Sequence, residues 1–184
     1  PDMPFVINLN NTFYIQQIYD RPYAVEFIHY AKDSGKDSLI LCEGYMDVIA
    51  MHQAGFTNAV ASLGTALTSG HASLLKRYTQ EVLLLYDSDD AGVRAALRAI
   101  PILREAGVSS RVVNLKPHKD PDEFIKNLGK EAFQERIDQA ENSFSFEIRI
   151  LSEQYDQSDP EQRTKFHREI AQKLCEFSED LERE

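Results

Sequence analysis

Short apolar runs alternate with stretches of helical periodicity along the middle of the chain, and this alternation limits the fold more than any other feature. Leu39-Ile40-Leu41-Cys42 and Val82-Leu83-Leu84-Leu85-Tyr86 are continuously apolar and bounded by polar residues. Runs of this kind suit strands buried on both faces. Asn58–Leu63 and Arg111–Leu115 read as two further strands. The intervening segments have the other period. Val48, Ile49 and Met51 precede Gly55, a helix stop. Leu74 and Leu75 turn inward and Lys76 and Arg77 outward on a helix that Thr68 or Ser69 caps and that runs to Tyr78. Val93, Leu97, Ile100 and Leu103 share a face of a helix ending near Glu105, where Pro101 is expected to introduce a kink. Two more helices are predicted over 122–128 and 130–140. The alternation implies an α/β fold, a parallel sheet with helices on both faces.

The ends differ. Residues 1–19 show no clean period and suggest an irregular or hairpin lead-in. Pro22–Ala31 is predicted as a helix with proline in its first turn. From Ser143, Phe144, Ile148, Leu151 and Tyr155, then Phe166, Ile170, Leu174 and Phe177, recur at helical spacing. They predict two helices of a separate subdomain. The expected organisation is a lead-in over 1–37, an α/β domain over 38–140 and a truncated helical subdomain over 141–184.

Charge narrows the chemistry. Thirty acidic side chains against twenty basic ones give a net charge of −10. Such a surface repels polyphosphate, which excludes simple electrostatic binding of nucleic acid. Concentrated carboxylates can instead hold a divalent cation and reverse the local field. Cys42 and Cys175 are too few for a disulfide framework and are expected as free thiols. No apolar run approaches the ~20 residues that span a bilayer. Pro1-Asp2-Met3-Pro4 has no basic leader character, so a cytoplasmic location without membrane association is expected.

The acids fall at strand ends. Glu43 and Asp47 follow the first central strand, Asp87 and Asp89 the Val82–Tyr86 strand, and Asp120 and Asp122 a loop after the last strand. Residues two apart in an extended segment point to one side. Neighbouring strands would therefore bring all six to one rim, where open α/β sheets collect ligands. Six clustered carboxylates cannot all remain ionised without cations. Hard oxygen donors suit Mg²⁺ or Mn²⁺. Taken singly, each motif has a plainer reading. An Asp-x-Asp pair is usually a solvated turn, and Asp120-Pro121-Asp122-Glu123 alone is a favourable helix N-terminus.

Together, Glu43-Gly44-Tyr45-Met46-Asp47, Asp87-Ser88-Asp89-Asp90-Ala91-Gly92 and Asp120-Pro121-Asp122-Glu123 resemble the three signatures of the Toprim domain. Glu-Gly-Tyr-Met-Asp followed by Ala61-Ser62-Leu63-Gly64-Thr65-Ala66-Leu67-Thr68 resembles the bacterial replicative primases in particular. The likeness runs from about Ser38 to Ala140 and more weakly through the helical tail. It implies a Toprim-type, Rossmann-like sheet and RNA-primer synthesis on single-stranded DNA from ribonucleoside triphosphates.

By this resemblance Glu43, Asp87 and Asp89 are catalytic, Glu43 as general acid or base. Glu43, Asp47, Asp87, Asp89, Asp120 and Asp122 form the Mg²⁺ or Mn²⁺ set. Gly44 and Gly92 would admit backbone close to metal or phosphate. Lys76, Arg77, Lys116 and Lys119 are candidate nucleotide or nucleic-acid contacts, and Arg94 and Arg98 weaker ones. Zinc is expected only in a separate N-terminal module, and a replicative helicase only through a separate C-terminal domain. A monomer is expected, and the isolated segment is expected to prime weakly or not at all. The other readings are a Toprim nuclease or topoisomerase fragment and a non-catalytic Toprim docking module.

Overall fold

A computed structural model describes residues 25–26, 28–31, 33–62 and 66–175. The lead-in expected over 1–19, the start of the helix predicted from Pro22, part of the loop after Leu63 and the tail from 176 lie outside the described residues. The elements in chain order are β1 (Val25–Glu26), α1 (Ile28–Ala31), β2 (Ser38–Cys42), α2 (Tyr45–Gln53), β3 (Ala59–Ser62), α3 (Ser69–Leu75), β4 (Glu81–Leu85), α4 (Asp90–Glu105), β5 (Ser109–Val112) and α5 (Pro121–Asp138). A two-residue strand, β6 (Glu141–Asn142), then precedes α6 (Ser143–Ser152) and α7 (Pro160–Leu174). Residues 1–141 form one compact unit and 142–184 a second.

Strand order through the first unit is β1-β3-β2-β4-β5. The strands from β3 to β5 pair in parallel, with Ile40 opposite Leu83 and Cys42 opposite Leu85 in the central pair. The outermost strand departs from the parallel pattern: Val25 and Glu26 pair antiparallel with Ser62 and Ala61. The predicted helix from Pro22 is thus a short strand followed by the four-residue α1. Backbone pairing with β3 takes residues whose side-chain spacing suits a helix.

The two central strands are buried as their sequences require, with Leu39–Cys42 and Val82–Leu85 each at most 3% exposed. Alternate side chains face opposite ways. Ile40, Cys42, Leu83 and Leu85 pack with Val48 and Met51 of α2 and with Phe124, Phe133 and Ile137 of α5. Phe133 stacks edge-on against Phe56 at 5.0 Å and Phe124 at 5.5 Å between ring centroids. Such pairs add about 0.5–1.5 kcal/mol each beyond area burial. On α4, Ala96, Ala99, Ile100 and Leu103 form the buried face.

Several boundaries have clear local causes. Gly55 adopts φ 90° just past α2, where a side chain would be strained. Gly129 (φ 85°, ψ 173°) breaks α5 into the two helices expected from sequence. Helix α4 runs continuously from Asp90 to Glu105 with Pro101 inside it. The strand expected over Arg111–Leu115 is Ser109–Val112 instead. Pairing with β4 begins at the polar Ser109 opposite Glu81, while Val113 and Leu115 fill the core beyond the strand. In the second unit Glu147, 3% exposed, is bonded by Lys173 at 2.7 Å.

Candidate active site

The acids are positioned by the ends of adjoining parallel strands. Because Cys42 lies opposite Leu85, Glu43 and Tyr86 leave the sheet side by side, and Asp87 follows. The third segment is tied to the second by backbone: Ser88 N–H donates to the Lys119 carbonyl at 3.0 Å. Asp120 follows at once and caps α5, accepting the Glu123 N–H at 2.8 Å. Asp47, in the first turn of α2, accepts the Gly44 N–H at 3.0 Å.

Electrostatics show which acids share the site. Asp87 is pushed up to about 6, by burial first, then by the charges of Glu43, Asp47 and Asp120, with Lys119 opposing. Asp47 is also raised, by burial first. Its bond from Gly44 opposes that shift, and Asp120, Glu43 and Asp122 add to it. The charges of Glu43, Asp120 and Asp122 thus bear on Asp47, and those of Glu43, Asp47 and Asp120 on Asp87, across three separate segments.

Asp89 behaves differently. It accepts the Ala91 and Gly92 N–H groups at 2.9 Å, capping α4. The Gly92 bond is the main reason its carboxyl sits below the usual range, with Lys119 and Arg94 contributing. Asp122 is paired with Lys126 at 2.5 Å on the surface. Glu43 and Asp87 accept no hydrogen bond from the described residues.

Among the described residues no three His, Cys, Asp or Glu side chains form a ready metal cage. The donor set nevertheless fits a divalent cation. Burial first and neighbouring like charges second raise the carboxyls of Asp87 and Asp47, and a cation would relieve the repulsion. A carboxylate offers about four lone-pair sites, so the cap bonds of Asp47 and Asp120 leave acceptor capacity.

The glycines serve unlike ends. A Cβ on Gly92 would lie 2.0 Å from the Asp87 carbonyl oxygen, so Gly92 lets α4 abut the acidic strand end rather than a ligand. A Cβ on Gly44 would meet only Asp47 Oδ2, at 3.8 Å.

The basic candidates separate. Lys119 sits within the field of Asp87 and Asp89. Lys76 does not join it: its ammonium donates to the Gly107 carbonyl and to Gln80 at 3.0 Å, at the far end of α4 from Asp89. Arg77, one residue on, is exposed. Lys116 precedes the cis Pro117, and its carbonyl accepts from Arg136 at 3.5 Å. His52 and His71 are structural: His52 Nε2 meets the Ala59 carbonyl at 3.0 Å, and His71 Nδ1 accepts the Thr68 N–H at 3.2 Å. Sequence reasoning passed over Tyr86, whose place between an apolar run and Asp87 was the available signal. It lines a cavity beside Glu43 together with Arg98.

The Toprim-like family matches residues 40–125. The DNA primase of Clostridium acetobutylicum is 43% identical over 146 residues, 79% of this chain and 24% of that protein. The DNA primase of Aquifex aeolicus is 42% identical over 134 residues, 73% of this chain and 26% of that protein. The chain thus spans about a quarter of the length of these relatives. Among solved structures, the Escherichia coli primase catalytic core has a TM-score of 0.77 at 34% identity, covering 88% of this chain and 53% of that one. The DnaG primase catalytic domain bound to single-stranded DNA has a TM-score of 0.77 at 33% identity, covering 88% and 54%.

Proposed function

The chain carries the Toprim domain of the bacterial DNA primases, and from that premise we propose that it is the metal-binding catalytic segment of a primase that makes RNA primers on single-stranded DNA. The observation that carries this reading is that the charges of Glu43 and Asp120 bear on both Asp47 and Asp87, acids from three separate segments. Acids gathered so that two of them, Asp47 and Asp87, are raised by burial and by neighbouring charge are suited to divalent metal and phosphate chemistry.

Asp87, Asp47, Asp120 and Asp122 are the residues to hold Mg²⁺ or Mn²⁺, with Asp89 joining as its cap bonds allow. When bound, the metal supplies charge neutralisation at the nucleotide phosphates and acidifies the attacking hydroxyl. The reaction joins a primer 3′-oxygen to the α-phosphorus of a ribonucleoside triphosphate and breaks the bond to pyrophosphate. Glu43, free of hydrogen bonds from the described residues and exposed at the strand end, takes the hydroxyl proton. Lys119, beside Asp87 and Asp89, meets the departing phosphates.

Template single-stranded DNA and ribonucleoside triphosphates are the substrates on this reading. Zinc and the replicative helicase engage other segments of the protein, and the site of action is the cytoplasm. Among the described residues no helix is long and apolar enough to cross a membrane. The test is primer synthesis by the full-length protein carrying Asp87→Asn or Glu43→Gln. Loss of incorporation with single-stranded DNA binding retained supports the assignment. Unimpaired synthesis refutes it.

A further inference from the structure

One exposed side chain outside the proposed metal set is bonded to the loop that joins the acidic segments. Glu123 lies in the first turn of α5, and its Oε2 accepts the Lys119 N–H at 2.7 Å. A glutamate three residues after a helix cap ordinarily reaches back to the N–H of the cap residue itself. Here the cap is Asp120, and Glu123 reaches one residue beyond it. The bond thus ties the helix to the preceding loop rather than to its own cap.

Lys119 is held on both sides of its Cα. Its N–H is bound by Glu123, and its carbonyl accepts the Ser88 N–H at 3.0 Å. Peptide units are planar, so these bonds orient the two planes that flank Lys119 and set the direction in which its side chain leaves. The Ser88 N–H belongs to the peptide that joins Asp87 to Ser88, so the same link orients the backbone of Asp87. The β4–β5 ladder closes with the Val113 N–H on the Leu84 carbonyl at 3.0 Å, and Ser88–Lys119 is the next backbone bond between the two segments. Glu123 itself has a fixed base. Its neighbour Phe124 is 1% exposed, with its ring edge-on to those of His118 at 5.1 Å and Phe133 at 5.5 Å. The core therefore anchors the turn from which the carboxylate reaches Lys119.

We propose that Glu123 is a positioning residue for the acid site. Acting through Lys119, it fixes the tether that holds Asp87 and Asp120 at one rim and aims the Lys119 side chain. It touches neither metal nor substrate. Its effect on synthesis rests on the primase reading, and the tether does not.

Three variants separate reach from charge. Glu123→Gln keeps an oxygen at the same reach and drops the charge. Glu123→Asp keeps a charge that favours the helix N-terminus but is one methylene shorter. Glu123→Ala removes both. Amide hydrogen exchange of the metal-free 184-residue chain reads the tether at Ser88 and Lys119. Exchange at both should quicken about tenfold or more in Glu123→Ala and Glu123→Asp, and stay within about threefold of wild type in Glu123→Gln. In the full-length protein, kcat for primer synthesis should fall about tenfold or more in Glu123→Ala and Glu123→Asp and be retained in Glu123→Gln. Unchanged Ser88 exchange in Glu123→Ala overturns the proposal, whether or not the protein primes. Synthesis lost equally in Glu123→Gln also overturns it, by marking Glu123 as a charge or metal ligand of the site. So does a loss of stability in Glu123→Ala with wild-type kcat, which reduces Glu123 to a helix-end residue. The primase reading is decided separately, by the Asp87→Asn synthesis assay.

Discussion

Gly92 and Asp87 touch through their backbones: a methyl group on Gly92 would sit 2.0 Å from the Asp87 carbonyl oxygen. Helix α4 therefore begins directly against the strand end that presents the acid. Gly92→Ala cannot be absorbed by a side-chain movement, since the neighbour is main chain. The expected result is a stability loss of about 1–3 kcal/mol or more in urea denaturation, with divalent-metal binding lost as Asp87 is displaced. An unchanged midpoint and unchanged metal binding would contradict the packing described.

The raised carboxyls of Asp87 and Asp47 set the sign of a pH dependence. In the metal-free fold each holds its proton more tightly than the unfolded chain, whose aspartates titrate near ~3.9. Their contribution to stability is therefore full below the unfolded value and is lost as pH rises through the folded value, about 6 for Asp87. Mn²⁺ should accordingly raise the melting temperature more at about pH 7.5 than at about pH 5. Asp87→Asn should stabilise the metal-free protein at the higher pH and reduce the gain from metal. Thermal melts at the two pH values, with and without Mn²⁺, check this.

Asp120 has two roles that substitution can separate. Its carboxylate caps α5 through the Glu123 N–H and contributes charge to the site. Asp120→Asn keeps a capping oxygen and removes the charge. It should preserve stability within a few tenths of a kcal/mol and weaken metal binding. Asp120→Ala should lose both, lowering stability by about 1 kcal/mol. Paired denaturation and Mn²⁺ titration of the two variants distinguish the roles.

The parts of the fold legible in sequence were those in which one local rule dominated. The runs Leu39–Cys42 and Val82–Leu85 could only be strands buried on both faces, and they are. Gly55 and Gly129 marked real breaks because positive φ leaves no alternative residue. What escaped depended on partners distant in sequence. Val25–Glu26 is a strand because Ala61 and Ser62 accept its pairing, not because of its own pattern. Lys76 looked available for nucleic acid, but its ammonium closes on Gly107, 31 residues away. The acids were visible at strand ends, yet only the register of β2 on β4 and the Ser88–Lys119 bond show which come together. Asp89 reads in sequence as the equal of Asp87, and in the fold one of its carboxylate oxygens caps α4.

The central claim is that three separated segments build one divalent-cation site. The direct measurement is Mn²⁺ titration of the 184-residue chain, read as free Mn²⁺ by electron paramagnetic resonance, for the wild type and for Asp47→Asn, Asp87→Asn and Asp120→Asn. The account predicts binding by the wild type and a loss of about tenfold or more in each variant, with no variant of the three spared. Wild-type affinity in any one of them, or no Mn²⁺ binding by the unaltered chain, would contradict it.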